Sequence, residues 1–332
     1  MIQLIISKFF HILKKPKSYI TPKKLSYFII NPSLVNEIVL MNEFKNQWRN
    51  AINYSLVSEK YKINNIEINK EINGIKVLVN VLHSFKLNNN SYDKFSKEIL
   101  KYIFFIKKIN HKYMIVDMYN EETYPTLYKK VVHDDFNFFD EKNKTISALR
   151  DSIKLQYWQD KLTNIDDMIY SFKENIIKPY YRNKDNKYDR SKAVAYARKY
   201  ALNYNTDYKD FNSNGGDCTN YISQCLYAGG INQSSNWKPY SDNWIRVNGL
   251  YNYLTKNGLA QNINIKEEYL SGDIIQFYSN SKGIYSHSGI ITLPLLNGDY
   301  LYCCHTYDKL DFPLSEIYPL LYNKFRVLKI IY

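Results

Sequence analysis

Apolar positions near the start of the chain recur with helical spacing. Ile2, Ile5, Ile6, Phe9, Phe10 and Leu13 make one stripe, with Ser7, Lys8, His11, Lys14 and Lys15 opposite. After Pro32 the same period runs through Leu34, Ile38, Met41, Phe44, Trp48, Ile52 and Leu56, which predicts one long amphipathic helix needing a sheet or helix to cover it. The period then changes to two. Ile66 and Ile68, then Val77, Val79 and Val81, read as a hairpin turning at Asn73-Gly74. A second hairpin joins 102–107 to 113–118 around Asn110 and His111, and Asp117, Glu121 and Glu122 close the unit. Between about 144 and 178, Leu149, Ile153, Trp158, Leu162, Ile165, Ile169, Phe172 and Ile176 predict a linking helix broken near Asn164. The polar stretch 182–187 marks a boundary.

Beyond it, Asp189 caps a helix through Ala193, Ala197 and Tyr200, and a loop leads to Gly215-Gly216. An amphipathic helix then starts at Cys218 and stops at Gly229-Gly230, where a left-handed cap is needed. Residues 231–246 are loop-rich, a short helix surrounds Leu250 and Leu254, and three apolar runs (274–278, 288–292 and 300–305) are spaced as an antiparallel meander. The class is α+β. The segments are 1–31, a basic amphipathic lead; 32–140, an α+β domain; 141–181, a linker helix; and 182–332, a second α+β domain.

A length of 332 residues fits two domains. The net charge of +13 predicts attraction to polyanions, among them nucleic acid, anionic lipid and phosphate-rich wall polymers. No ribonucleoprotein, helix-turn-helix or zinc-finger signature accompanies it, which disfavours nucleic acid. The first 31 residues hold six lysines and no acidic residue, so this segment is either a helix lying on an anionic membrane or wall polymer, or one packing on its own domain. Lys8 and His11 interrupt its apolar run and no small-residue cleavage site follows, unlike a cleavable signal; no run spans a bilayer. The expected location is the cytoplasm or a membrane surface, or the cell envelope after release. Four cysteines, at 218, 225, 303 and 304, include no C-x-x-C pair and suit a reduced chain rather than a disulfide scaffold.

The chemistry centres on N-G-G-D-C-T-N-Y-I-S-Q-C at 214–225. Glycines permit a tight turn, Asp217 is a suitable N-cap, and Cys218 at the helix start faces the positive end of the dipole, which stabilises a thiolate. Asp217 opposes that effect, leaving part of the activation to a base. Cys225, between Ile222 and Leu226, reads as a core thiol, and Cys218 taken alone is as well explained by a buried structural cysteine. His287 opens one predicted strand and His305 closes the next, so one imidazole could take the thiol proton and the other group hold it in the right tautomer. Asn220 and Gln224 read as helix-packing groups, Asp273 as a turn residue, and Trp237 and Trp244 either as walls of a substrate cleft or as core.

From about Tyr188 onward the pieces Y-D-R-S-K-A-V-A-Y-A, G-G-D-C-T-N-Y-I-S-Q-C-L-Y-A-G-G, the 237–244 stretch, G-D-I-I-Q-F-Y, H-S-G-I-I-T and H-T-Y-D resemble, in this order, the putative amidase domain family. That family is a branch of the NlpC-type, papain-like cysteine peptidase superfamily. The resemblance implies a cysteine helix packed on a small antiparallel sheet, with Cys218 as nucleophile, His287 as base and His305 as the third polar residue; Asp308 is the alternative third residue. It implies no cofactor and no metal. It also suggests bacterial wall peptides (peptidoglycan) as a substrate class. The element order of 32–140 resembles the SnoaL-like cone fold related to nuclear transport factor two.

The leading expectation is hydrolysis of an amide in a peptide-like substrate. Three alternatives remain open: acyl transfer through the same thioester, an envelope-binding module whose thiol is vestigial, and a zinc site built from Cys218, His287, His305 and another cysteine.

Overall fold

A computed structural model describes residues 1–14, 19–88, 92–133, 138–139, 144–175, 187–263 and 268–332. Lys15, Pro16, Ile176 and the predicted boundary at 182–186 lie outside the described residues. The protein is α+β and divides into two compact units, Met1–Asn88 with Ile99–Ile169, and Asn89–Glu98 with Tyr170–Tyr332.

The first unit places α1 (Ile2–Leu13), α2 (Pro22–Leu25) and α3 (Pro32–Ala51) before two long hairpins. Strands β1 (Leu56–Glu71) and β2 (Gly74–Leu87) pair antiparallel, and the later part of β3 (Phe95–Ile109) pairs with β4 (Lys112–Asn120). The first turn differs by one residue from expectation: Glu71 faces Gly74, so Ile72 and Asn73 are the loop residues. Gly74 is needed for another reason, since a Cβ there would lie 2.2 Å from the Phe139 ring. In the second turn Asn110 and His111 both take positive φ, 45° and 64°, as a two-residue hairpin with matched twist requires. Helices α4 (Pro125–His133), α5 (Lys144–Thr163) and α6 (Ile165–Asn175) follow, with the break at Asn164 between the last two.

The apolar stripe of α1 is used inside this unit. Ile5, Ile6, Phe9 and Phe10 are buried with Leu34, Val79 and Phe104 in one core, and Phe9 meets the Phe104 ring edge-on at 5.2 Å. Deeper in the unit, Lys154 of α5 is 1% exposed and lies 2.8 Å from Glu37 of α3 and 2.6 Å from Asp117 of β4. Tyr124 and Tyr119 donate to the remaining oxygens of the two carboxylates, so no member of this buried group lacks partners.

In the second unit the strand order is β9-β8-β7-β6-β10-β5: β5 (Ala260–Ile263), β6 (Ile274–Ser279), β7 (Ile284–Pro294), β8 (Tyr300–Cys304), β9 (Lys309–Pro313) and β10 (Phe325–Ile330). Every described pairing is antiparallel, and Lys97 and Glu98 of β3 extend the order by pairing with β9. Helices α7 (Arg190–Tyr200), α8 (Cys218–Ala228) and α10 (Val247–Lys256), with the single turn α9 (Asp242–Ile245), share a core with Ile274, Ile290, Cys303 and Leu328. Phe277, Tyr302, Tyr318, Tyr322 and Phe325 form an aromatic layer, which their alternation with Ile274 and Leu328 puts on the opposite sheet face. Asp189 caps α7 through the Lys192 N–H at 2.9 Å. Asp273 holds its own turn through the Leu270 N–H and also takes a 2.7 Å contact from Arg190, tying that turn to α7.

Candidate active site

Helix α8 begins at Cys218 after Gly215 and Gly216, at φ 103° and 112°, where only glycine is unstrained. It ends before Gly230, again at positive φ (96°). Asp217 occupies the cap position, but its side chain makes no cap hydrogen bond to the helix backbone, contrary to expectation. It is drawn elsewhere: Oδ1 accepts from the Phe211 N–H and from Asn220 Nδ2, and Oδ2 lies 2.7 Å from His305 Nδ1. The Asp217 N–H donates to Thr306 Oγ1, which also leaves no room beside Gly216 for a Cβ without displacement.

The Cys218 thiol is buried, with Thr219 Oγ1 at 3.7 Å, and the backbone N–H of Ser288, just beyond the last β7–β8 pair at Ile290 and Cys303, is near enough to favour its thiolate. The sulfur therefore lies by the backbone of β7, one residue from His287. Side chains at 287 and 288 leave a strand on opposite faces. The Ser288 hydroxyl turns toward α8, where it meets Thr219 Oγ1 at 3.3 Å, while the His287 ring lies by Phe277, Tyr307 and Tyr322 on the aromatic side. No hydrogen bond joins the thiol to the His287 ring in this resting arrangement.

Both groups rest neutral. Burial pushes the Cys218 thiol up, against the Ser288 N–H and the Thr219 hydroxyl, which favour the thiolate; Asp217 adds to the upward push. Burial and the charges of Lys309 and Lys282 bring His287 down to about 3. Lys309 is itself buried and paired with Glu98 at 2.9 Å.

The other expected site residues lie in tighter surroundings. His305 is 1% exposed, with Nδ1 on Asp217 and Nε2 on the Tyr200 carbonyl at 2.7 Å, and its ring is stacked between Tyr204 (3.9 Å) and Tyr221 (4.0 Å). With both nitrogens engaged it has none to orient His287 or to offer a metal shared with Cys218. Among the described residues no group of three or more His, Cys, Asp or Glu is arranged to hold a metal ion. Asp308 accepts from Tyr204 at 2.7 Å. Trp237 and Trp244 are fully buried: their indole N–H groups donate to Ser223 and Asn220 of α8, and their rings stand 4.7 Å apart. They brace the helix from within the core rather than facing solvent. Gln224 accepts from Tyr196 at 2.7 Å.

Sequence reasoning passed over Thr219, Ser288 and Gln276, all fully buried beside the thiol or one step from it. The available signal was polarity in the wrong place, because Gln276 sits inside the apolar run I-I-Q-F-Y and Ser288 inside H-S-G-I-I-T.

Among the described residues, no helix is long and apolar enough to cross a membrane. Two curated proteins of Bacillus subtilis (strain 168) are similar to part of the chain. The uncharacterized protein YjcM is 34% identical over 110 residues, which is 30% of this chain and 26% of YjcM. The uncharacterized protein YhbB is 36% identical over 129 residues, which is 33% of this chain and 40% of YhbB. The chain thus spans well under two thirds of either relative. No solved structure matches. The family model described as "Putative amidase domain" matches residues 187–327, so the C-terminal part of the chain is similar to that family.

Proposed function

We propose that the second unit hydrolyses an amide bond in a peptide-like substrate, with Cys218 as nucleophile and His287 as base, in a papain-like arrangement. The observation carrying this is the thiol at the start of α8, beside the Ser288 backbone and one residue from a buried imidazole. Since both groups rest neutral, proton transfer accompanies attack instead of preceding it. As Cys218 Sγ bonds to the carbonyl carbon, its proton passes to His287 after a side-chain rotation brings the ring to the sulfur. The oxyanion meets the Cys218 N–H at the helix start. His287 then protonates the leaving nitrogen, the C–N bond breaks, and a thioester remains. Water, deprotonated by His287, attacks the thioester and releases the acid and the thiol.

His305 serves as a positioning residue. Fixed between Asp217 and Tyr200, it holds the segment that delivers Cys218 to the sheet. Bacterial wall peptides are the substrate class we favour, and the net charge of +13 suits an anionic wall.

The test is to incubate wild type and Cys218→Ala with digested bacterial wall peptides and identify freed amines by mass spectrometry. New amines with wild type alone support the assignment. Identical profiles remove the wall-peptide reading, and new acyl-amine products in place of free acids identify acyl transfer.

A further inference from the structure

The buried polar residues beside the thiol form a single line across the sheet. Ser288 of β7 pairs with Gln276 of β6, which pairs with Arg326 of β10. Arg326 Nε donates to Gln276 Oε1 at 2.8 Å; Gln276 Nε2 donates to the Val247 carbonyl at 3.0 Å and to Ser288 Oγ at 3.4 Å. Ser288 Oγ meets Thr219 Oγ1 at 3.3 Å, and Thr219 Oγ1 meets Cys218 Sγ at 3.7 Å. Thr219, Gln276 and Ser288 have no solvent to turn to. The outer end is anchored: the Arg326 guanidinium lies between the Tyr251 and Tyr285 rings, at 3.6 and 4.0 Å, and reaches Asn248 Oδ1.

The directions of the links at Gln276 follow from their ends. A guanidinium only donates, and a backbone carbonyl only accepts, so Arg326 and Val247 together fix which end of the Gln276 amide is oxygen. Nε2 is then a donor to Ser288 Oγ. Ser288 Oγ then keeps its proton for a further partner, and Thr219 is the hydroxyl in reach; the Thr219 proton can in turn be given to the sulfur, although either atom of each of these two contacts is able to donate. We infer that Thr219, Ser288, Gln276 and Arg326 are positioning residues that form a one-way hydrogen-bond ladder, whose last step aims the Thr219 hydroxyl proton at Cys218 Sγ. The ladder gives the sulfur a side-chain donor alongside the Ser288 N–H, which also favours the thiolate, so the developing charge is stabilised during attack.

This inference rests on Cys218 being the nucleophile, yet it concerns the sulfur alone and is testable without a substrate. The charged and titratable groups facing the thiol are Asp217 beside it, with His305 after β8 as that carboxylate's partner, and His287 of β7, on which Lys309 and Lys282 act. None is altered by the variants below.

The experiment follows the rate of iodoacetamide alkylation of Cys218 against pH, by peptide mapping of the full-length protein, for wild type, Thr219→Val, Thr219→Ser and Gln276→Leu, each checked for native circular dichroism. Thr219→Val is isosteric and loses only the donor, so its midpoint rises by about one pH unit, the size of one hydrogen bond to a charged acceptor. Thr219→Ser keeps the wild-type midpoint, and Gln276→Leu, which frees Ser288 to turn, shifts it upward by less. A wild-type midpoint in folded Thr219→Val, or failure of Thr219→Ser to restore it, overturns the ladder. A Gln276→Leu profile superimposable on wild type also overturns it. Should wild type release no amine from any amide while these shifts persist, the hydrolase assignment fails and the ladder stands.

Discussion

His305 Nδ1 lies 2.7 Å from Asp217 Oδ2, across 88 residues of chain, and both side chains are almost fully buried. That contact ties the residue preceding Cys218 to the turn after β8. Removing the histidine takes the partner from Asp217 Oδ2 and from the Tyr200 carbonyl, so His305→Ala is expected to cost about 2–5 kcal/mol in urea unfolding, as leaving buried polar groups unsatisfied does. Full stability together with lost amide hydrolysis would instead make His305 part of the chemistry.

Burial, with Lys309 and Lys282, holds His287 at about 3, below its ordinary 6.5. As pH falls below 6.5 the unfolded chain takes up a proton here that the folded chain refuses. The stability contributed by the neutral ring is therefore complete above 6.5 and lost as pH drops toward 3, at up to about 1.4 kcal/mol per pH unit. Asp299, raised to about 6 by burial, acts with the opposite sign: its contribution is complete below the ordinary carboxylate value and lost as pH rises through 6. Comparison with His287→Gln isolates the histidine. Between pH 6.5 and 4.5 the variant should lose less stability than wild type in urea melts, and equal slopes would contradict a buried neutral imidazole.

The first unit has its own sensitive point. Burial works against the charge on Lys154, but Asp117 and Glu37 more than offset it and lift the amine above the ordinary lysine range. Lys154→Ala leaves two buried carboxylates facing each other, with an expected loss of about 3–5 kcal/mol. Lys154→Ala with Glu37→Gln and Asp117→Asn should recover part of it, since the carboxylate charges go with the amine. Denaturant unfolding checks both, and a loss under 1 kcal/mol for the single variant would contradict a tightly coupled network.

Local patterns were legible where one segment contains its own cause. The start of α8 at Cys218, its glycine stop, the Asp189 cap, the Asn110-His111 turn and the break at Asn164 all follow from residues within a few positions of each other. What escaped needed distant partners. Asp217 reads as a cap until His305 and the Phe211 N–H claim its oxygens. Gly74 reads as a turn glycine until Phe139 packs on it. The burial of Trp237 and Trp244 depends on Ser223 and Asn220 arriving from another helix. Strand register, which aligns Ser288, Gln276 and Arg326, has no signature within any one strand.

In the mechanism we propose, Cys218 carries the acyl group of a cleaved amide. The most direct measurement mixes wild type and Cys218→Ala with digested wall peptides, quenches in acid within a turnover, and maps adducts by mass spectrometry. An acyl mass is expected on the peptide containing Cys218, with one free amine per adduct, and neither product from Cys218→Ala. Amine release that persists undiminished in Cys218→Ala would contradict it.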